Sequence, residues 1–339
     1  MPSIQDVAVK AGVSIATVSH VLNNTRNVRE STRAKVLAAI DALGYLPSSA
    51  ARNLATGRSQ IMGLVISDIR NPFFPEITTA FQEQAMLHEL ETIVMNTNYD
   101  AQRMLHTVKR LIGLQVRGVA VLTSQIDASM MDALVRKDIP AVYLDLGQVG
   151  RNVSNIAIDY EQGIAEALRH LQELGHRRVG FISGPTHLPS SARRKSTVVA
   201  LLSKEGAGEV RTIDSDFTIK GGYFACSKLL TGFQPTAILA ANDQMAIGAM
   251  HCAYDRGIRV PEELSVAGFD DITFAEYMQP ALTTVHVPRL QIGRLAFEAL
   301  WKMLADQNRE GEEYRVETQL VVRGSTGPYR AASATSGVS

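Results

Sequence analysis

Residues 3–24 read SIQDVAVKAGVSIATVSHVLNN, and their apolar positions recur at helical spacing. Ile4, Val7, Ala8 and Ala11 follow the series i, i+3, i+4 and i+7, which places one apolar stripe along a helix. The spacing predicts a first helix of about two turns that buries this stripe.

A second short helix is predicted directly after the first. Gly12 has the backbone freedom to end the first helix, and Ser14 stands where its hydroxyl caps a helix that begins at Ile15. The apolar side chains that turn toward the first helix are Val18, Val21 and Leu22. The outer face then carries Ala16, Thr17 and His20, with Ile15 and Asn23 at the ends.

This pair of helices has two interpretations. Two short helices joined by a tight turn that contains Gly form the helix-turn-helix motif, whose second helix enters the major groove of DNA. An ordinary helical hairpin in a protein core has the same periodicity. Periodicity alone leaves both open.

A third helix completes a small all-α domain, predicted over residues 1–46. The stretch STRAKVLAAIDALGY, residues 31–45, resumes helical spacing and ends with Gly44 at the C-terminal cap position. Its predicted apolar side consists of Val36, Leu37, Ile40 and Leu43.

Residues 47–59 are predicted to link this domain to the rest of the chain. The segment has helix-forming residues but no apolar face, so it forms a helix only with outside support. Leu54 would then be exposed beside Arg52 and Arg58. Leu54 either packs on a neighbouring domain or acts as an apolar wedge between base steps in the minor groove.

From Ile61 onward, apolar runs of strand length alternate with helical stretches. The first series of strands is IMGLVIS, ETIVMNT, GVAVLTS and PAVYLDL, separated by helices at 74–90, 100–115 and 127–138. The second series is NIAIDY, RVGFISG, VRTIDS, TAILAA and LSVAGFD. After TTVHV come a helix near 289–306 and one closing strand near 314–323. This predicts an α/β core of two doubly wound parallel-sheet subdomains over 60–326, with a ligand in the cleft between them, and a disordered tail over 327–339.

Composition fits a soluble protein with two functionally different parts. The 339 residues are 45% hydrophobic and 20% charged, with neither a secretion signal nor an apolar run long enough to cross a bilayer, so we expect a cytoplasmic protein. Residues 1–60 carry seven Lys or Arg and three acids, a net charge of +4, which leaves −4 for the remainder. This favours a polyanionic partner for the first part and a small or uncharged one for the second.

Common catalytic and metal signatures are missing. The chain has no GxGxxG after a strand, no GxxxxGK[ST], no GxSxG and no HExxH, which argues against an enzyme. Cys226 and Cys252 lie 26 residues apart without a CxxC pair, so we expect buried free thiols and neither metal nor cofactor. Two further classes of protein fit parts of the sequence, namely an exported sugar-binding protein and an architectural DNA-binding protein that has no effector.

Several motifs together resemble the LacI/GalR family of transcriptional regulators over residues 3–325. They are DVAVKAGVSIATVSHVLN, TRAKVLAAIDALGY and AARNL in the first part, and NPFF, ANDQMAIGAM, RGIRVPEELSVAGFDD and PALTTVHVP in the second. The resemblance implies a homodimer that binds a palindromic operator on double-stranded DNA. It also implies a hinge helix that folds on DNA and a small effector that changes operator affinity, with repression the commoner outcome.

The resemblance implies particular DNA contacts. The residues assigned to DNA are Ile15, Ala16, Thr17, Ser19, His20, Asn23, Arg29, Arg52 and Leu54. Of these, Ile15, Ala16 and His20 correspond to the base-reading positions, and Leu54 to the hinge wedge. Many relatives carry Arg where this chain has His20, and a neutral imidazole donates one hydrogen bond to guanine where Arg donates two. Arg29 stands where relatives have a capping Ser, which puts the cap of the third helix in doubt.

The core is also similar to periplasmic monosaccharide-binding proteins of the type I class. The residues that this similarity assigns to the effector are Asn71, Phe73, Phe74, Arg194, Phe217, Asn242, Asp270 and His286. Aromatic faces above and below a ring and polar groups at its edge suit a sugar. Taken singly, Asn242 is more simply explained as a helix cap and Asp270 as a turn residue.

Two departures from the family pattern leave the effector site open to a second interpretation. Thr197 and Val198 replace the usual Gly-Phe, which could displace Arg194 and bring in Arg193. Arg70 would suit an acidic or phosphorylated effector, although a solvated surface Arg is the simpler interpretation. A purine, a nucleoside or a phosphorylated metabolite that acts as corepressor is the alternative to a sugar.

Overall fold

The structure is a computed structural model that describes residues 2–23, 26–45, 59–123, 127–203 and 208–330. The chain divides into two compact units, Met1–Gln60 and Ile61–Ser339. Arg52, Leu54 and the tail beyond residue 330 lie outside the described residues. In the ranges described, no helix combines the length and the apolar composition that crossing a membrane requires.

The described part of the first unit forms the three predicted helices, α1 (Ile4–Ala11), α2 (Ile15–Asn23) and α3 (Glu30–Leu43). Gly12 ends α1 with φ of +67°, a left-handed conformation that glycine adopts without strain. Ser14 Oγ accepts a hydrogen bond from Thr17 N at 3.1 Å, so the predicted cap of α2 is confirmed. The buried core of the unit consists of Val7, Ala8, Val18, Val21, Val36, Ala39 and Tyr45.

The prediction for α3 was wrong at Leu37. Val36 is fully buried and Ala39 nearly so, whereas Leu37 is 45% exposed. The buried stripe continues from Val36 through Ala39, and Leu37 lies about 100° around the helix from Val36. Its side chain therefore points away from α1 and α2.

The second unit contains two six-stranded sheets within the described residues. The first sheet has the order β11-β5-β4-β3-β1-β2. Its strands are β1 (Ile61–Ile66), β2 (Glu91–Asn96), β3 (Gly118–Leu122), β4 (Ala141–Leu144), β5 (Val153–Ile158) and β11 (Glu313–Val316). The helices that follow β1, β2 and β3 are α4 (Phe73–Leu87), α5 (Ala101–Gly113) and α6 (Ala128–Arg136).

The second sheet has the order β12-β10-β9-β8-β6-β7 and is parallel except where β12 pairs antiparallel with β10. Its strands are β6 (Arg178–Ser183), β7 (Glu209–Asp214), β8 (Ala237–Ala240), β9 (Ser265–Asp270), β10 (Thr283–His286) and β12 (Gln319–Val321). The associated helices are α7 (Tyr160–Glu173), α8 (Pro189–Leu202), α9 (Ile219–Gly232), α10 (Asp243–Asp255) and α11 (Thr273–Tyr277). The final helix, α12 (Arg289–Ala305), packs on α4. The predicted pair of doubly wound subdomains is confirmed.

Two strand assignments were wrong. NIAIDY was assigned to the second half, but as β5 it pairs with β4 in the first sheet, with Ala141 opposite Val153. The single closing strand is two strands, because β11 pairs with β5 and β12 with β10. The chain consequently passes between the sheets after β5, after β10 and between β11 and β12.

The predicted disorder from Gly327 was wrong for its first residues. Gly327 N donates to Ser265 Oγ at 3.0 Å, and Tyr329 N donates to Leu174 O at 2.7 Å. Residues 327–330 are thus attached to the second unit. Cys226 and Cys252 are buried free thiols, as predicted.

Candidate DNA-reading helix and ligand cavity

The outer face of α2 carries most of the residues that the sequence assigned to DNA. Ile15 is 46% exposed and Ala16 is exposed, while Thr17, Ser19 and His20 are half-buried. Val18 and Val21 hold the opposite face against the core of the unit. Among the side chains of this set that the structure describes on α2, the two predicted apolar readers are therefore the most accessible.

The other predicted DNA contacts differ in accessibility. Thr17 Oγ1 lies 2.9 Å from Ser14 Oγ, so its hydroxyl also supports the cap of α2. Arg29 is exposed at the N-cap of α3 and its side chain makes no capping hydrogen bond, which agrees with the doubt about this cap. The side chain of Asn23, like Arg52 and Leu54, falls outside what the structure describes.

A cavity lies in the second unit, between the two sheets and beyond the carboxyl ends of their strands. The empty space in it, counted together with its opening to solvent, is about 620 Å³. Seven of the eight residues assigned to the effector line it, namely Asn71, Phe73, Phe74, Arg194, Phe217, Asn242 and Asp270. Loops that are far apart in sequence meet here because parallel strands end at the same edge of a sheet.

Arg194 is buried in the wall of this cavity. Its Nη1 donates to Ala241 O at 2.6 Å and its Nε to Ser190 O at 3.3 Å. The guanidinium carbon lies 5.0 Å from the ring centre of Tyr160 and 5.3 Å from that of Phe217. These contacts hold Arg194 toward the cavity, so Thr197 and Val198 do not displace it. Arg193 is exposed and lies outside this cavity.

Two asparagines serve both the fold and the cavity. Asn242 Oδ1 caps α10 by accepting from Met245 N at 2.9 Å, and its Nδ2 donates to Phe217 O at 3.0 Å. Asn71 Oδ1 accepts from Phe73 N at 3.0 Å. A carboxamide has two donors and two acceptor sites, so each asparagine keeps hydrogen-bonding capacity for a ligand.

Two carboxyl groups in the cavity wall have raised pKa values. Burial raises the pKa of Asp270 to about 7, while nearby Arg194 and Arg289 act in the opposite direction. Burial also raises the pKa of Asp145, whose oxygens accept from Tyr160 Oη at 2.5 Å and Ile158 N at 2.9 Å. A wall with two acids and one guanidinium favours ligands that donate hydrogen bonds.

The sequence did not identify several residues of the cavity. Those with polar side chains are Ser67, Tyr99, Thr123, Asp145, Tyr160 and Ser190. The first five lie within three residues after the carboxyl ends of β1 to β5. Their position directly after a predicted strand could therefore have identified them as cavity residues from the sequence. Tyr99 and Phe217 come from opposite sheets, and their ring centres are 5.9 Å apart.

His286 does not line the cavity, and its assignment is corrected. Its Nδ1 lies 2.8 Å from Asp271 Oδ2, and the next residue, Val287, faces the cavity instead. Arg70 is also outside, because its guanidinium forms a salt bridge with Asp68 at 2.8 Å. No cluster of three metal-ligating side chains occurs within the described ranges.

Comparison with known proteins identifies the family. The profile "Bacterial regulatory proteins, lacI family" matches residues 3–48, and "Periplasmic binding protein-like domain" matches residues 168–326. The HTH-type transcriptional repressor PurR of Photobacterium profundum is 34% identical over 96% of this chain and 98% of its own length. Catabolite control protein A of Priestia megaterium is 32% identical over 96% of this chain and 99% of its own.

A solved structure agrees with these relatives. The lac repressor dimer bound to operator and the anti-inducer ONPF superposes with a TM-score of 0.85 at 28% identity, over 96% of this chain and 99% of that one. The expected cytoplasmic location and the absence of enzymatic activity both follow from these relationships. This chain therefore belongs to the LacI family of bacterial regulatory proteins and is a DNA-binding transcriptional regulator.

Proposed function

We propose that this chain is a dimeric repressor of a palindromic operator and that a neutral monosaccharide, or a neutral sugar derivative, in the cavity sets its operator affinity. The observation that carries the effector assignment is the composition of the cavity. Phe74, Tyr99 and Phe217 offer flat apolar faces, and Arg194 and Asp270 offer polar groups from the second sheet. A polyhydroxylated ring uses both kinds of surface.

Charge argues against a phosphorylated effector. Asp145 and Asp270 bring two carboxyl groups to the cavity, and Arg194 is the one guanidinium among its lining residues. Two donors of that guanidinium are already directed at the carbonyls of Ser190 and Ala241. Among the described lining residues, a phosphate would find no second cation, so its negative charge would stay poorly compensated in a buried site.

For the operator, we assign base reading to the exposed end of α2. Ile15 and Ala16 offer apolar contact to thymine methyl groups, and His20 offers one hydrogen bond to guanine. The residues assigned to phosphates are Thr17, Ser19, Asn23, Arg29 and Arg52, with Leu54 as a minor-groove wedge. In this proposal residues 1–46 read DNA, 47–59 form the hinge, and 60–326 bind effector and partner subunit.

Exposed apolar side chains on the second unit support dimer formation. Met86 and Leu87 at the end of α4 are 74% and 75% exposed, and Tyr254 on α10 is 80% exposed. Met86 and Leu87 are adjacent, and neighbouring exposed apolar side chains that form a patch mark protein interfaces. The occupant that we assign to this surface is a second copy of the same chain.

Thermal unfolding with a ligand panel tests the effector assignment. The panel contains neutral sugars, their phosphates, and purine bases and nucleosides. A ligand that binds the folded state at 100 times its Kd adds about 2.7 kcal/mol to the free energy of unfolding. We expect a neutral sugar to raise the unfolding midpoint; a rise with purines or phosphates alone would refute the sugar assignment.

A further inference from the structure

Thr123 is one of the residues that line the cavity, and its buried hydroxyl group lacks a hydrogen-bond partner among the described residues. The residue directly follows β3 and is 4% exposed. Among the residues that the structure describes, nothing pairs with its Oγ1. Buried hydroxyl groups in proteins are nearly always hydrogen-bonded, so this one calls for a partner from outside the chain.

The other buried polar atoms without a partner do not line this cavity. They belong to Thr92, Tyr143, Asn152, Ser183, Ser191 and Ser215. Thr123 is thus the one described residue that combines an unpaired buried polar atom with a place in the cavity wall. This combination distinguishes a ligand contact from an ordinary packing defect.

The neighbouring polar groups on the first sheet are already engaged. Asn71 accepts from Phe73 N, and Asp145 accepts from Tyr160 Oη and Ile158 N. Tyr99 is hydrogen-bonded to the side chain of Asn71. Thr123 thus brings a buried hydroxyl without a described partner to the cavity from the first sheet, besides Ser67 and the remaining hydrogen-bonding capacity of Asn71.

The hydrogen-bonding chemistry of a hydroxyl indicates which chemical group of a ligand Thr123 can bind. A threonine hydroxyl donates one hydrogen bond and accepts up to two, as a sugar hydroxyl does. Leu122, Leu144 and Leu188 also line the cavity and exclude water, which strengthens such a bond. A ligand hydroxyl pointing toward the first sheet satisfies both partners at once.

We propose that Thr123 Oγ1 hydrogen-bonds a hydroxyl of the effector and makes effector choice depend on that hydroxyl. This inference rests on the proposed function, in which the cavity holds a neutral sugar. Arg194 and Asp270 bind one side of the ring from the second sheet, and Thr123 binds the other side from the first. Sugars that differ in a single hydroxyl then differ in affinity through Thr123.

Calorimetric titration of the full chain tests the binding step. The probes are D-ribose, D-xylose, L-arabinose, D-glucose and D-galactose, together with adenine and hypoxanthine. For the probe that binds the wild type best, Thr123→Val should weaken binding about tenfold or more, and Thr123→Ser should keep it within about threefold. Thr92→Val removes an unpaired hydroxyl outside the cavity and should leave affinity unchanged. Equal affinity of Thr123→Val and wild type overturns the inference.

The ligand-free protein provides a second readout. Because no described residue pairs with the hydroxyl of Thr123, Thr123→Val should unfold at the same temperature as the wild type or higher. A fall of several degrees means that the hydroxyl stabilises the fold itself, which overturns the inference. Binding of purines without binding of sugars refutes the proposed sugar function, while the titration of Thr123→Val with the purine still decides the role of Thr123.

Discussion

His20 stands on α2, at a position to which we assign base reading. It is half-buried on α2, beside the exposed Ile15 and Ala16. A neutral imidazole makes one hydrogen bond to guanine, which is worth about 1 kcal/mol. At the level of single residues, His20 is where we expect operator preference to be set.

Replacing His20 tests this directly. His20→Ala should weaken binding to the selected operator about fivefold and leave binding to a scrambled duplex unchanged, because phosphate contacts are independent of sequence. Fluorescence anisotropy on both duplexes at one salt concentration measures the difference, and the thermal midpoint checks folding. An equal loss on both duplexes would contradict base reading by His20.

Asp270 gives the protein a characteristic pH dependence. Its folded-state pKa of about 7 exceeds the ordinary value of 3.8, so the folded state holds a proton that the unfolded state releases. The contribution of Asp270 to the free energy of unfolding is fully present below about pH 4 and is lost as the pH rises to about 7. The total change in this contribution is on the order of 4 kcal/mol.

Asp270→Asn removes this titration. Denaturant unfolding gives the free energy of unfolding of wild type and variant at each pH between 4 and 7. The difference between the two free energies should change steadily across that interval. Comparing the two proteins cancels the titration of carboxyl groups elsewhere in the chain. A constant difference would contradict the raised pKa of Asp270.

The sequence predicted single residues well where a motif carries them. Asn71, Phe73 and Phe74 lie within one four-residue motif, and all three line the cavity. Tyr99 and Thr123 belong to no motif, because each reaches the cavity only through its position after a strand. His286 was assigned from the family pattern, but its pairing with Asp271 holds it outside the cavity.

At the level of elements, α7 packs closely at the place where the chain passes between the sheets. A Cβ on Gly163 would overlap Val285 Cγ1 on β10 and Thr318 Oγ1 between β11 and β12. Gly163→Ala should therefore lower the free energy of unfolding by about 1–3 kcal/mol. Denaturant unfolding measures the change.

Gly113→Ala is the matched control for this prediction. Gly113 ends α5, and a Cβ there has no neighbour within 4 Å. The control should be neutral or stabilise the protein by up to about 1 kcal/mol, because alanine favours helix more than glycine does. Equal effects at both glycines would contradict the close packing of α7.

The type of each element could be predicted, but its partners could not. Periodicity identified β5 and the residues of β11 and β12 as strands, since strand pattern is local. Sheet membership depends on pairing with distant strands such as β4 and β10, and a single sequence does not encode that pairing locally. Leu37 shows the same limit on a helix, because its burial depends on where α1 and α2 pack.

At the level of the whole molecule, charge and chemistry divide between two units. Residues 1–60 carry a net charge of +4, and the remainder carries −4. The basic unit presents α2, and the acidic unit contains an aromatic cavity with two carboxyl groups whose pKa values burial raises. This division suits a DNA reader under the control of a small neutral ligand.

The most direct test is the affinity for an operator selected from a random DNA library, measured at two salt concentrations with and without the sugar panel. Operator affinity should fall steeply with salt, by roughly 10³- to 10⁵-fold between 50 and 200 mM, as it does for proteins that neutralise about 6–10 phosphates. One sugar should change operator affinity by about fivefold or more, in either direction. An affinity that neither salt nor any panel compound alters would contradict ligand-controlled operator binding.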